Sequence, residues 1–236
     1  MKCRSVIPAK AVIPAKAGIQ FLFLAMALMT GLCAHAEDIR GSGRSATEQR
    51  QASGIHGVAM SLPAELEIRQ GGPEGVTITG DDNVLPYIET VVEGGVLKVR
   101  TRDHTNVSLR TRLRVAVVAQ AIEQLDLSGS GTIDAKGVDV GKLSLDISGS
   151  GDATLAGRAQ ALDARISGSG HVNAVKLTAQ DASVRVSGSG DVKLDARKTL
   201  SARISGVGNI VYYGDPRVER HVSGMGRIER AGGAPG

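Results

Sequence analysis

The amino-acid sequence predicts an all-β protein, and within that class a single-stranded parallel β-helix, also called a β-solenoid. Apolar and polar residues alternate along most of the chain after residue 57, which is the pattern of strands. No long stretch after the N-terminal region has a helical period. A Ser-Gly-x-Gly motif recurs six times, each copy after a short apolar stretch, as in LDLSGSGTID. The usual handedness of parallel crossovers favours a right-handed solenoid.

The spacing of the six motifs sets the size of the predicted coil. Their first serines stand 18–20 residues apart. A propeller blade needs about 40 residues, so the shorter period favours one solenoid coil per motif. Side chains two apart in a strand share a face, and the residue before each serine is predicted to point inward. This position is apolar in all six copies: Leu127, Ile147, Ile166, Val186, Ile204 and Val222.

The glycines of the motifs are predicted to form tight corners between the strands of each coil. Glycine reaches positive φ without strain, and its lack of a side chain lets neighbouring coils stack closely. The serines of successive copies would then stack in a ladder. The predicted corner residues are Gly129, Gly131, Gly149, Gly151, Gly168, Gly170, Gly188, Gly190, Gly206 and Gly208.

The chain divides into three predicted regions. Residues 1–36 have a basic start, an apolar run and the small residues of a cleavage site, which is the layout of a secretory signal peptide cut after Ala36. Residues 37–56 are polar and rich in Gly and Ser, which predicts a flexible linker. Residues 57–236 are expected to form a single domain. Within it, residues 57–120 form irregular N-terminal strands and residues 121–230 carry the six repeats.

Removal of the predicted signal peptide changes what the composition implies. The formal net charge of the whole chain is +4, but residues 37–236 hold 24 basic and 24 acidic residues. A basic surface for nucleic acid is therefore not predicted. Both cysteines lie before residue 37, so disulfides, thiolate metal sites and a cysteine nucleophile are excluded. We predict no membrane span in the mature chain.

An outward position two residues before each motif serine carries an ionisable side chain in every copy. Such a stripe would bind an anionic polymer such as pectate, teichoic acid or lipopolysaccharide sugar. The alternative is a solvated strand face that keeps the sheet soluble, with Asp163 and Asp181 neutralising the arginines. The candidate binding residues, named here the charged row, are Asp126, Asp146, Arg165, Arg185, Arg203 and His221.

Neither a metal site nor a catalytic site is predicted. Asp152, His171 and Asp191 follow the motif glycines, but the nine-residue period of calcium-binding repeats is lacking. Asp126 and Asp146 lie on adjacent copies without an aromatic platform for a sugar ring. We therefore predict no enzyme activity, no metal and no cofactor. The alternative function is a polysaccharide-active lyase or hydrolase on the same fold.

The repeated SGSG between short strands, the segment VTITGDDNVLPYIETVVEGGVLKVRT (76–101) and the predicted signal peptide resemble the putative autotransporter adhesin, head GIN domain family. The resemblance spans about residues 57–230. It implies a pectin-lyase-like β-helix in a bacterial envelope protein and brings no catalytic residues. The expected function is non-catalytic binding, adhesion or scaffolding at the cell envelope of a Gram-negative bacterium, in the periplasm or secreted. An envelope glycan or protein is the expected partner, and oligomers are possible.

Overall fold

The computed structural model describes residues 37–232 and contains fourteen strands in two sheets. The prediction of an all-β protein is confirmed. The one helical element of this region is a single 3₁₀ turn, Leu85–Tyr87, within the sequence NVLPY. The predicted signal peptide, residues 1–36, lies outside the described residues.

The first ten strands are short, whereas the last four span 14–43 residues. The strands are β1 Glu37–Arg40, β2 Ser45–Arg50, β3 Gly57–Met60, β4 Glu65–Gln70, β5 Gly75–Asp81, β6 Ile88–Glu93, β7 Val96–Thr101, β8 Thr105–Ser108, β9 Arg114–Ala119, β10 Gln124–Gly129, β11 Thr132–Gly149, β12 Asp152–Gly168, β13 His171–Tyr213 and β14 Arg217–Arg230.

The prediction of a single-stranded parallel β-helix is wrong, because the main sheet is mixed. Twelve strands form one barrel-like sheet around a common core, while β1 and β8 form a separate parallel pair. Within the large sheet, β2 pairs antiparallel with β5, β5 with β9, and β6 with β7. The β6–β7 connection is only Gly94–Gly95, both at positive φ, and a two-residue turn joins antiparallel strands only.

The strands that carry the motif pair in parallel and in register. Ser128 lies opposite Ser148, Ser148 opposite Ser167, and Ser167 opposite Ser187. At the other end of the sheet, Ser205 lies opposite Ser223. Because equivalent residues are direct neighbours, one sequence position becomes one row of side chains across the sheet.

The core is one cluster of Val, Ile, Leu and Ala side chains, joined by Met60 and Tyr212. It continues from the short N-terminal strands, where Leu66 and Ile78 are buried, into the motif strands, where Leu145 is buried. The residue before each motif serine is buried in five copies. Val222, in the last copy, is 41% exposed because no further strand of residues 37–232 covers it.

Residues 37–56 differ from the predicted flexible linker, because they contain β1 and β2. β2 pairs with β5 along its whole length. Ile39, Ala46 and Ala52 pack partly buried against the core. Small apolar side chains within a polar segment gave no periodic signal, so the sequence pattern did not indicate these strands.

The two glycines of each motif have different roles. The first has positive φ, +132° at Gly149 and +134° at Gly168. The second, such as Gly170 or Gly190, does not have positive φ. A Cβ added at either of these second glycines would lie 2.6 Å from the second glycine's carbonyl oxygen in the previous copy. The second glycine is therefore required by the close approach of two backbones rather than by φ.

Candidate ligand-binding face

The charged row forms a line of neighbouring side chains across the motif strands. Asp126 lies opposite Asp146, Asp146 opposite Arg165, and Arg165 opposite Arg185. Arg203 lies opposite His221. Gly206 approaches the carbonyl of Gly188, which makes the copies that hold Arg203 and Arg185 neighbours as well. The structure therefore brings all six predicted residues together on one face.

Carboxylates beside the charged row contact the arginines unequally. Asp163 lies 2.6 Å from Arg165 and 3.4 Å from Arg185, so one carboxylate serves two guanidinium groups. Arg165 has a second contact, with Asp146 at 3.4 Å. Arg203 contacts Glu219 at 3.4 Å. A guanidinium has five N–H donors, so Arg185 and Arg203 keep most of their hydrogen-bonding capacity free for another acceptor.

A groove of about 670 Å³ runs beside the charged row. Its walls come from the positions two and four residues before the row, which share the same strand face. The polar lining combines both charges with hydroxyl groups, and Thr199 donates to Asp181 at 2.5 Å. The polar lining residues are Lys142, Asp163, Asp181, Ser183, Thr199, Ser201, Arg217 and Glu219. We name the charged row and this groove together the candidate face.

The ionisation of Asp126, at one end of the charged row, is perturbed by its surroundings. Burial raises the pKa of its carboxyl group, and the nearby charge of Asp146 adds to the rise. A hydrogen bond from Gln124, at 2.6 Å, opposes these effects without cancelling them. The folded protein therefore disfavours the ionised form of Asp126 relative to an ordinary exposed carboxyl group.

Replacing Asp126 with asparagine is expected to raise stability slightly at neutral pH. A carboxyl group whose folded pKa lies above its unfolded pKa destabilises the protein once both states ionise, and this penalty disappears at low pH. Urea unfolding midpoints of wild type and Asp126→Asn should differ at pH 7 and converge in acid. The matched control is Asp139→Asn on an exposed strand position. A midpoint of Asp126→Asn below that of wild type at pH 7 would contradict this expectation.

Polar side chains also stand at the position that follows the motif glycines in each copy, among them His171, Asp191 and Asn209. Hydrogen bonds within the protein connect some of them. Asp191 accepts bonds from the backbone N–H and the side-chain amide of Asn209, both at 3.0 Å. His171 Nδ1 lies 4.0 Å from the same carboxylate. Within residues 37–232, no three His, Cys, Asp or Glu side chains converge as a metal site would require.

Sequence reasoning missed the groove, although a signal for it was present. It treated Asp163 and Asp181 only as acids that neutralise the arginines, whereas all residues two and four positions before the charged row lie on the same strand face by the same period. Applied to each copy, this rule leads to Lys142, Asp181, Thr199 and Arg217. Periodicity does not predict the depth of the groove, because the depth depends on how far the polar side chains stand above the sheet.

Comparison with protein families places most of the chain in a known group. Residues 55–216 match the model of a family described as putative auto-transporter adhesin, head GIN domain. A comparison with curated proteins gives no match. Within residues 37–232, no helix has the length and hydropathy of a membrane-spanning segment.

Solved structures of similar fold include proteins from Bacteroides and Parabacteroides species. A putative adhesin from Bacteroides fragilis is 20% identical, has a TM-score of 0.66, and is matched over 82% of this chain and 100% of its own. A putative adhesin from Parabacteroides distasonis is also 20% identical, with a TM-score of 0.52 over 83% and 100% of the two chains. At this level of identity the likeness shows a shared fold.

Proposed function

The chain belongs to the putative auto-transporter adhesin, head GIN domain family, and we propose that it is a non-catalytic binding protein of the cell envelope. Its proposed ligand is an acidic glycan that lies along the charged row and in the adjoining groove. The proposed location is the periplasm or the cell exterior. The family description and the putative adhesins of similar fold support binding as the general role.

The proposal depends on the unequal contacts that the arginines of the charged row make with nearby carboxylates. Arg185 and Arg203 reach their carboxylates only at 3.4 Å, and Arg185 shares Asp163 with Arg165. Their side chains are about half exposed, at 45% and 44%. Carboxylate or phosphate groups of a polymer would accept charge-assisted hydrogen bonds from these free donors. Strands stack at about 4.8 Å intervals, so the arginines present a regular ladder to a repeating chain.

The groove would hold the neutral part of such a ligand. Ser183, Thr199 and Ser201 supply hydroxyl groups that both donate and accept hydrogen bonds. Asp181 and Glu219 accept bonds from sugar hydroxyls. This mixture suits a polyol with spaced acidic groups better than a dense polyanion, which the carboxylates of the groove would repel.

A binding screen on residues 37–236 tests the proposal. Acidic glycans, their neutral counterparts and carboxyl-reduced forms would be compared by titration calorimetry, and the products would be examined for new reducing or unsaturated ends. We expect an acidic glycan to bind without cleavage, more weakly as ionic strength rises. New chain ends would instead support the alternative, a polysaccharide-active enzyme. Binding of none of the glycans would contradict the proposal.

Variants test whether the glycan binds to the candidate face. The triple variant Arg165→Gln, Arg185→Gln, Arg203→Gln is expected to lower the affinity about tenfold or more. The matched control, Lys136→Gln, Arg158→Gln, Lys193→Gln, removes the same charge from positions outside the candidate face. Equal losses in the two triple variants would show that only net charge matters, and would overturn the assignment of the face.

A further inference from the structure

The last strand of the large sheet, β14, is paired along one edge only. Within residues 37–232 its hydrogen-bonded neighbour is β13, and no strand covers its other edge. The free backbone N–H and C=O groups of such an edge can pair with another strand. β14 is fourteen residues long, and hydrophobic side chains are open beside this edge: Val222 is 41% exposed and Met225 is 79% exposed.

We infer that this edge is the interface of a homodimer, in which β14 pairs antiparallel with β14 of a second copy around a two-fold axis at Ser223. The motif lies in the middle of β14, where Gly224 has a φ of +131°. In earlier copies the chain bends at the equivalent segment, at Ser130 and Ser150. A two-fold axis through the bend places the residues before Ser223 in one copy opposite the residues after Ser223 in the second copy. Such an interface is closed and stops at two copies.

The direction of the side chains restricts the register of this pairing. Val218 and Ile228 point inward, because their in-register partners Leu200 and Ile210 are buried. With the axis at Ser223, Val218 of one copy lies opposite Ile228 of the second copy. A shift by one residue would place inward side chains opposite outward ones, so only shifts by two residues compete.

Charge selects one register among those that remain. With the axis at Ser223, Arg217 lies opposite Glu229 of the second copy, and Glu219 lies opposite Arg227. A shift by two in one direction places Glu219 opposite Glu229, and a shift in the other direction places Arg217 opposite Arg227. Like charges directly opposite each other destabilise a strand pair, so both shifts are disfavoured.

The chosen register also accommodates an arginine that would otherwise obstruct the edge. Arg220 lies beside buried Ala202 in an inward position, and inward charges commonly protect sheet edges from pairing. Its opposite residue in the second copy is Gly226, which has no side chain. Glu229 is available for a new partner, because its contact within the protomer, with Arg227, is 4.0 Å long.

Sedimentation velocity over a range of protein concentrations tests the inference. The wild-type chain from residue 37 onward should show a reversible monomer–dimer equilibrium. Glu229→Arg should raise the dimer dissociation constant about tenfold or more, because two attractive pairs become two repulsive ones. The double variant Arg217→Glu, Glu229→Arg restores opposite charges and should recover most of the affinity.

Two results would overturn the inference. One is a wild-type protein that stays monomeric at every concentration. The other is a dimer that Glu229→Arg does not weaken, or that the double variant does not restore. Glu123→Arg, a charge reversal at an exposed residue before β10, controls for net charge and should leave the dimer unchanged. Circular dichroism of each variant verifies that the strands remain folded. The assay contains no glycan, so its outcome is independent of the proposed ligand.

Discussion

Replacing Gly168 with alanine is expected to destabilise the protein by about 3 kcal/mol or more. Two costs coincide at this residue. Its φ of +134° lies in a region that is almost exclusive to glycine. A Cβ built there would also overlap the carbonyl oxygen of Gly149 in the previous copy. The backbones cannot separate at one point without breaking the parallel hydrogen bonds on both sides.

Three further alanine variants separate the two costs. Gly129 has a φ of +109° but open space around its Cβ position, so Gly129→Ala should show backbone strain alone. Gly170 lacks positive φ but would meet the Gly151 carbonyl oxygen at 2.6 Å, so Gly170→Ala should show crowding alone. Gly141 has neither constraint, and Gly141→Ala should change the free energy of unfolding by less than about 0.5 kcal/mol. Urea denaturation that finds Gly168→Ala as stable as Gly141→Ala would contradict this view of the motif.

Replacing Asp81 with asparagine is expected to cost about 3 kcal/mol at neutral pH. The carboxylate of Asp81 is fully buried at the end of β5. It accepts hydrogen bonds from the backbone N–H groups of Gly43, Arg110 and Thr111 at 2.8, 2.9 and 3.1 Å. It thereby fastens the β1–β2 connection to the segment before β9. An asparagine amide would turn a donor toward one of these donors and leave a buried N–H unpaired.

The stability that Asp81 provides should disappear in acid. Burial alone would raise the pKa of Asp81, but the three N–H donors more than offset it, and the pKa lies below the usual value of 3.8. A carboxyl group with a depressed folded pKa stabilises the protein fully above its unfolded pKa. That contribution is lost as the pH falls through the folded pKa. The advantage of wild type over Asp81→Asn in urea stability should therefore shrink progressively as the pH falls below 3.8.

The exposed carboxyl group of Asp103 provides the control for this experiment. Asp103→Asn should leave both the stability at pH 7 and its pH dependence nearly unchanged. A wild-type advantage over Asp81→Asn that persists undiminished in strong acid would show that the carboxylate charge is not what holds the two segments together.

Alternation of apolar residues predicted the buried faces well, because burial follows directly from which side of a strand a residue occupies. Leu66, Ile78 and Leu145 are examples from three different strands. The in-register stacking of the charged row followed from the recurrence of one motif at a nearly constant interval. These features depend on local spacing, which the sequence displays.

Local spacing did not predict whether the N-terminal strands pair in parallel or antiparallel. The Gly94–Gly95 turn is a local hairpin signal that the assumption of uniform coils overrode. The antiparallel pairing of β5 with β9 has no local signal, because residues such as Val76 and Val117 meet only after several intervening strands. The anchoring by Asp81 is likewise invisible in the sequence, since its donors lie about 30–40 residues away.

The side-chain Nε–Hε resonances of Arg165, Arg185 and Arg203 test the proposed binding most directly. They would be followed by NMR while the acidic glycan identified by the screen is titrated into the protein. The proposed function predicts that these three signals shift together, along with the backbone amides of Ser183 and Ser201 in the groove. Unchanged arginine signals, with the shifts confined to the row of Asp152, His171 and Asp191, would contradict it.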